Sequence, residues 1–506
     1  MQRLLAAALA LGLMIGEAPA QEPEKDSLEV LEAEPRAVET RHSVRIDGEK
    51  IEYTATAGWL ILRNDKREPI ARFGYTAYTV DGEDDRSRRP VMFAFNGGPG
   101  SSSIWLHMGI LGPRRVVVTD EGFTPPPPLE RVANEYSIID VTDLVMVDPV
   151  GTGFSRTLGE AEYEDFWGVD QDIRSVGAFI KRYVTENGRW GSPKYILGES
   201  YGGVRSAGLV WHMQQEHNMS FNGVVMVSPF LDTGSGADGA GIDLPHVLYL
   251  PTLAATAWYH DAIPDKPGSL ETFLAEVERF AYEEYAPALM KGFTIDEAEK
   301  LAVAEKLADY TGTSTDYWMK ADLRVSHRQF LQELMRDERV TAGRIDSRFV
   351  GPSINPLAER MDYDPFFASV GPAIVASFMD YLATDLEFGA DEEYNVWAPI
   401  TDWDWRHSPP SARGRLRSWV NMRPDLARAI TANQGLHVLV MQGYFDLATP
   451  ALATRHDIEH LDIAPEARAR IRMEFYEAGH MMYLHEPSMK KFRSELASFI
   501  RETDRL

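Results

Sequence analysis

The stretch Lys194-Tyr195-Ile196-Leu197-Gly198-Glu199-Ser200-Tyr201-Gly202-Gly203 decides the fold. It opens on a short strand-like run, and a helical pattern begins near Gly203. Between them lies Gly198-Glu199-Ser200-Tyr201-Gly202, a match to G-x-S-x-G. A serine at so tight a strand-to-helix turn is held in a strained backbone conformation. Its hydroxyl stands above the sheet at a helix N-terminus, where negative charge is favoured. Gly198 and Gly202 keep side chains out of the crowded turn. Three fixed positions alone are a weak signal; the strand, the helix and partners downstream give them meaning.

Working outward, similar apolar runs recur at Val91–Phe95, Leu144–Val147, Val224–Val227, Val438–Met441 and Ile471–Phe475. Each ends in a Gly-rich or polar turn, as buried parallel strands do. Helical segments such as Asp170–Val184 and Val204–Glu216 separate several of them. Strand alternating with helix implies an α/β fold, a mostly parallel central sheet covered by helices. Before it, Ser43 to Tyr78 alternates polar and apolar residues and reads as an antiparallel meander. Between about 235 and 395 the strand signal disappears and helical spacing takes over, as at Leu270, Phe273, Leu274, Val277 and Ala281. Thr294-x-x-Glu297 and Ser326-x-x-Gln329 read as capping boxes there. This predicts an inserted, mainly helical cap domain.

Ser200 needs an acid and then a His further along the chain. Asp446 follows the Val438–Met441 strand in Gly443-Tyr444-Phe445-Asp446, and His480 follows Ile471–Phe475 in Glu477-Ala478-Gly479-His480. Both stand where strand ends carry the sites of open α/β sheets. Asp446 would fix the tautomer of His480, and His480 would take the Ser200 proton. Attack on a carbonyl also needs oxyanion donors. One is the N–H of Tyr201; the second comes from Asn96-Gly97-Gly98-Pro99-Gly100, where glycine lets backbone approach a substrate.

Here the motifs resemble a known family. Asn96-Gly97-Gly98-Pro99-Gly100-Ser101-Ser102-Ser103 is similar to the NGGPG(C/S)SS motif of serine carboxypeptidases. Asp148-Pro149-Val150-Gly151-Thr152-Gly153-Phe154-Ser155 resembles their (D/S)-P-x-G-x-G-F-S segment, and Gly198 to Gly203 their GESY(A/G)G elbow. The resemblance covers roughly residues 90–230 and 415–500 and is faint in the insert. It implies an α/β-hydrolase fold and cleavage of the C-terminal peptide bond of peptides or proteins through an acyl-enzyme. The triad would be Ser200, Asp446 and His480, with Gly98 and Tyr201 as oxyanion donors and no metal or organic cofactor. Gly97 belongs to the same substrate-binding loop. It further implies that Asn96 and Glu199 hydrogen-bond the substrate α-carboxylate, which requires a proton on Glu199 because two carboxylates repel. Three departures stand out. Ala94 replaces a Trp, Ser101 replaces a Cys, and Ile104–Gly112 contains no acid where the partner of the binding Glu belongs, near Gly109. An esterase or acyltransferase using the same triad, or a non-catalytic binding protein on this scaffold, are the rival readings.

Composition narrows the rest. With 51 Lys+Arg against 77 Asp+Glu, the net charge of −26 argues against nucleic-acid phosphates as partner. Absence of cysteine excludes disulfides, thiolate metal sites and a Cys nucleophile. Met1 to Ala20 reads as a signal peptide, with a basic start, an apolar run and Ala18-Pro19-Ala20 as cleavage site. No membrane span is expected after its removal. Eukaryotic members of the family it resembles are usually disulfide-bonded, so with the Ala18-Pro19-Ala20 signal the resemblance implies a bacterial periplasmic or extracellular protein. The organisation expected is signal peptide 1–20, acidic flexible arm 21–42, first core segment 43–234, helical cap 235–395 and second core segment 396–506. His456-x-x-Glu459-His460 matches an inverted zinc motif, but on the helix after Asp446 it reads as a solvated face. Trp105, Trp211, Trp258 and Trp397 read as core aromatics.

Overall fold

A computed structural model of the chain describes residues 33–504 apart from 84, 238–240, 265, 267, 411–413 and 415. The signal peptide expected over 1–20, and residues 21–32 of the expected arm, lie outside the described residues. The strands of the central sheet are β1 (Arg36–Ile46), β2 (Glu49–Arg63), β3 (Pro69–Val80), β4 (Val91–Phe95), β5 (Asp143–Val147), β6 (Lys194–Glu199), β7 (Gly223–Val227), β8 (His437–Gly443) and β9 (Ile471–Tyr476). They lie in the order β1-β2-β3-β5-β4-β6-β7-β8-β9, and the short strand Arg156–Thr157 pairs beside β3. From β5 to β9 every pairing is parallel; β1, β2 and β3 form the antiparallel meander, and β3 joins β5 antiparallel.

The apolar runs take these places because both faces of the parallel strands are covered. Along β4, Val91, Phe93 and Phe95 enter one core layer while Met92 and Ala94 enter the other. Successive strand side chains point to opposite faces, so a strand buried on both sides must be apolar throughout. Helices α1 (Val169–Glu186) and α2 (Gly202–His217) cover the first layer. The second layer is closed by the buried faces of two later helices, Pro365–Thr384 and Glu486–Thr503. Pro365–Thr384 is long and apolar enough to cross a membrane by length and composition, but Phe366, Val370, Ile374 and Phe378 pack into this core.

Two expectations need correction. The flexible arm expected to reach residue 42 ends earlier, because Arg36 already pairs with Trp59 and β1 runs in register to Ile46. Its charges sit on the outer side of an edge strand whose alternate residues, Val44 and Ile46 among them, are buried. The helix expected to be capped by Thr294 starts from Asp296, whose carboxylate accepts the N–H groups of Ala298 and Glu299. Asp296 is closer to the helix and accepts more strongly than the hydroxyl, which donates to the Lys291 carbonyl at 2.7 Å. The cap insert is mainly helical, but it contains a small antiparallel pair, Val340–Ala342 with Val350–Pro352. Its own apolar cluster runs from Val247 to Ala342, and Phe445 and Leu447 of the core join it. At Ser326 and Gln329 both halves of the expected capping box form.

Candidate active site

Strands β4 and β6 are neighbours at the point where strand order reverses, the position at which open α/β sheets hold their sites. The Asn96–Gly100 loop leaves β4 and the Ser200 turn leaves β6. Ser200 has φ of 61°, a conformation only a few per cent of non-glycine residues adopt. It is pinned there: its N–H donates to the Val227 carbonyl at 3.0 Å, and its carbonyl accepts from Gly203 at 2.8 Å and Phe230 at 3.0 Å. The glycine loop lies directly on this turn. A methyl group on Gly97 would stand 2.5 Å from the Tyr201 nitrogen and 2.6 Å from the Glu199 carbonyl oxygen, so no other residue fits. Gly98, at φ of 106°, then leads the chain away.

Asp446 and His480 leave the adjacent strands β8 and β9. Asp446 is fully buried, and its Oδ2 lies 2.7 Å from His480 Nδ1. The same carboxylate accepts the Ala448 N–H at 2.8 Å, the Thr449 N–H at 2.9 Å, the Thr449 hydroxyl at 2.7 Å and the Gln442 amide at 3.1 Å. A carboxylate oxygen facing Nδ1 accepts the imidazole N–H there, which leaves Nε2 as the free ring nitrogen. Burial pulls the His480 pKa down, but the Asp446 and Glu199 charges outweigh it, and the net value lies above the ordinary range. Nε2 points to the Ser200 turn, 4.0 Å from Glu199 Oε1.

Glu199 is the other buried acid of the cluster. Burial drives its pKa up to about 7, against the His480 charge and hydrogen bonds from Tyr483 and Asn96, which hold it down; Asp446 adds to the rise. The Tyr483 hydroxyl donates to Glu199 Oε2 at 2.6 Å. The Asn96 Oδ1 accepts the Leu106 N–H at 3.1 Å, which fixes the side chain between the loop and the following helical turn.

With this geometry in hand, comparison with known proteins is direct. Residues 71–266 match the family model for serine carboxypeptidases. The matched segment is well under half of the chain, and it carries the Asn96–Ser103 loop and the Ser200 turn. The chain is similar to serine carboxypeptidase-like 45 of Arabidopsis thaliana, 24% identical over 217 residues, which is 41% of each chain. It is also similar to serine carboxypeptidase-like 20 of the same plant, 31% identical over 132 residues, a quarter (25%) of each. The matches therefore span well under two thirds of these relatives' length. The fold resembles that of the prohormone-processing carboxypeptidase Kex1Δp of Saccharomyces cerevisiae, with TM-score 0.51 over 89% of this chain and 92% of that one at 15% identity.

The structure brings together Asn96, Gly97, Gly98, Glu199, Ser200, Tyr201, Asp446 and His480 at the carboxyl ends of β4, β6, β8 and β9. Sequence reasoning missed the groups that hold them. Tyr483 occupies the space beside Gly109, where a methyl group would meet its ring at 2.5 Å. A phenol thus stands against Glu199 while the Ile104–Gly112 segment supplies no acid. Arg205, on α2, is almost fully buried. It donates to Asp172 at 2.7 Å and to the Asn96 carbonyl at 2.8 Å, tying the helix after Ser200 to the Asn96–Gly100 loop. Asp148, pushed up to about 6 by burial, accepts the Ser103 N–H at 2.8 Å and the Tyr394 hydroxyl at 2.9 Å. From the insert, the Ile345 carbonyl accepts the His480 N–H at 2.7 Å and Asp346 Oδ2 accepts the Gly479 N–H at 3.0 Å. Trp403 and Trp405 stand edge-on to Tyr201, with ring centroids 5.4 and 5.9 Å away. A signal existed for Arg205 and Tyr483: a charged residue inside the elbow helix and an aromatic three residues after the histidine. Neither shows its partner in one dimension. The His456 and His460 rings stack at 4.0 Å on the helix after Asp446, and His460 Nδ1 lies 2.7 Å from the His456 carbonyl oxygen.

Proposed function

We propose that this protein is an exported serine carboxypeptidase that removes residues from peptide or protein C-termini. Residues 1–20 would be the export signal, and the helical insert would roof the cleft. The observation that carries the reading is a buried carboxyl, Glu199, 2.6 Å from a phenol, 4.0 Å from His480 and next to Ser200. A carboxyl with pKa of about 7 keeps its proton in mild acid, and there it can hydrogen-bond a substrate carboxylate that an ionised Glu would repel. Asn96 would supply a neutral donor to the same group.

Ser200 would attack the last peptide carbonyl while His480 Nε2 takes its proton, and Asp446 would stabilise the imidazolium. The N–H groups of Gly98 and Tyr201 would hold the oxyanion, about 3–4 kcal/mol of barrier each. His480 would then protonate the leaving amino acid and activate water against the acyl-enzyme. Product analysis on a mixed peptide library tests this: residues should leave singly from the C-terminus, and Ser200→Ala should release none. Internal cleavage by the wild type would overturn it.

One observation favours an esterase or acyltransferase instead. The partner of Glu199 is a tyrosine rather than an acid, so recognition of a free carboxylate rests on a single shared proton. Paired substrates with a free or an amidated C-terminus separate the two readings. Equal turnover of both would decide for the esterase.

A further inference from the structure

A second charged cavity lies in the insert, beside the candidate site. About 520 Å³ of space separates Gly236, Ala237, Gly241, Ile242, His246 and Tyr249 from Ser326–Gln329, Arg344 and Arg360. Its described ionisable lining consists of Arg324, Arg328, Arg344 and Arg360 with His246, His327 and Tyr249, and no described Asp or Glu lines it. Among the described lining residues this reverses the sign of a chain whose net charge is −26. Arg324 is committed, donating to both oxygens of Asp243 at 2.7 and 3.1 Å. Glu359, which stands near the lining, is held by the Gln329 amide at 2.7 Å. Arg328, Arg344 and Arg360 have no carboxylate partner among the described residues, and Arg344 Nε is buried without any hydrogen-bond acceptor.

The cavity adjoins the reacting groups. The Arg344 carbonyl accepts the Leu447 N–H at 3.0 Å, and the next carbonyl, Ile345, accepts the His480 N–H. Arg344 is thus part of the backbone that seats both Asp446 and His480, and its charge is close enough to act on His480. Like charges left unpaired in a partly enclosed space raise the local potential and attract an anion. A guanidinium meets a carboxylate through paired N–H donors, so the anion is held by direction as well as charge.

We propose that this cavity is an anion subsite for substrate, in which Arg328, Arg344 and Arg360 take the side-chain carboxylate of an acidic residue near the cleaved C-terminus. Acidic peptides are then the preferred substrate class. The proposal rests on the carboxypeptidase reading above and adds the substrate to it.

The test compares peptides identical except for Glu or Gln, scanned through the leaving residue and the four before it. At one position kcat/KM should favour Glu by about 10-fold, the scale of one charge-assisted hydrogen bond, and the preference should shrink with added salt. Arg344→Gln and Arg360→Gln should each lower the Glu/Gln ratio several-fold, and Arg344→Lys should restore part of it. A ratio near one at every position in the wild type overturns the subsite. So does a preference that survives the combined Arg328→Gln, Arg344→Gln and Arg360→Gln substitutions. Inorganic phosphate should inhibit turnover of the Glu peptide only; phosphate that instead activates the Gln peptide assigns the cavity to a free effector and overturns the proposal. If no peptide is turned over while a fluorophosphonate probe still labels Ser200, the carboxypeptidase reading falls. Fluorescence anisotropy with Ser200→Ala then decides the subsite alone: tighter binding of the Glu peptide supports it, and equal affinity overturns it.

Discussion

The Tyr483 hydroxyl and the Glu199 carboxyl share a hydrogen bond of 2.6 Å in a place sealed from water. The phenol donates, so it favours the charged form of Glu199, whereas burial favours the neutral form and wins. Under the proposed mechanism the neutral form binds substrate. Binding therefore holds below the Glu199 pKa of about 7 and weakens as pH rises through it. His480 works in the opposite sense, since its basic form is needed and is lost as pH falls through its raised pKa. A bell-shaped kcat/KM profile is expected for free C-termini, its two limbs belonging to the coupled pair. Tyr483→Phe removes a donor to the charged form and so raises the Glu199 pKa. The alkaline limb in KM should move up by about one pH unit, the worth of a single hydrogen bond to a charged group. An ester without a free carboxylate should show no such displacement. A limb that stays in place under Tyr483→Phe would assign it to another group.

At the scale of elements, two loops and a helix depend on close backbone approach. Gly97→Ala would drive a methyl group to 2.5 Å from the Tyr201 nitrogen and push the loop off the elbow. Losing the geometry of one oxyanion donor should lower kcat about 10²–10³-fold with KM little changed. Steady-state kinetics of the folded variant, verified by circular dichroism, would check this. On α2, Arg205→Ala would leave Asp172 buried with no ion-pair partner. Destabilisation of about 3–5 kcal/mol is expected, read from the urea midpoint. Arg205→Ala with Asp172→Ala should be less harmful than Arg205→Ala alone, because no lone charge then remains. In the insert, Ser326→Ala removes one half of a capping box and should cost about 1 kcal/mol, read from the urea midpoint.

For the whole molecule, the decisive feature is that the insert reaches the loops carrying Asp446 and His480. Its Arg344–Ser347 segment bonds to Phe445 and Leu447 on one side and to Gly479 and His480 on the other. Asp346, paired with Arg348 at 2.6 Å, accepts the Gly479 N–H from inside this clamp. Asp346→Asn keeps the shape but weakens the pair. It should lower kcat more than it raises KM, because the base rather than the substrate is displaced. A purely structural role would instead change stability with kcat intact, so thermal denaturation and kinetics on the same sample distinguish the two.

Much of this was legible in one dimension. Buried parallel strands must be apolar on both faces, so six of them stood out as short runs between helices. The Ser200 turn, Asp446 and His480 were legible because strand-end turns, chain order and the resemblance of their motifs all mark them. The strand β1 was hidden because an edge strand shows water one face and its charges resemble those of a disordered arm. Tyr483 against Glu199, Arg205 against Asn96, and the insert clamping two core loops could not be read at all. Each joins residues from 98 to 284 positions apart, and no local pattern encodes such a pairing. The sequence by itself determined the strand set, the strained serine and the order of acid and base, since each is a property of a residue and its near neighbours. Only the tertiary structure decided which proton partner Glu199 has and which charges share a cavity, because desolvation and Coulomb energy depend on distance through space.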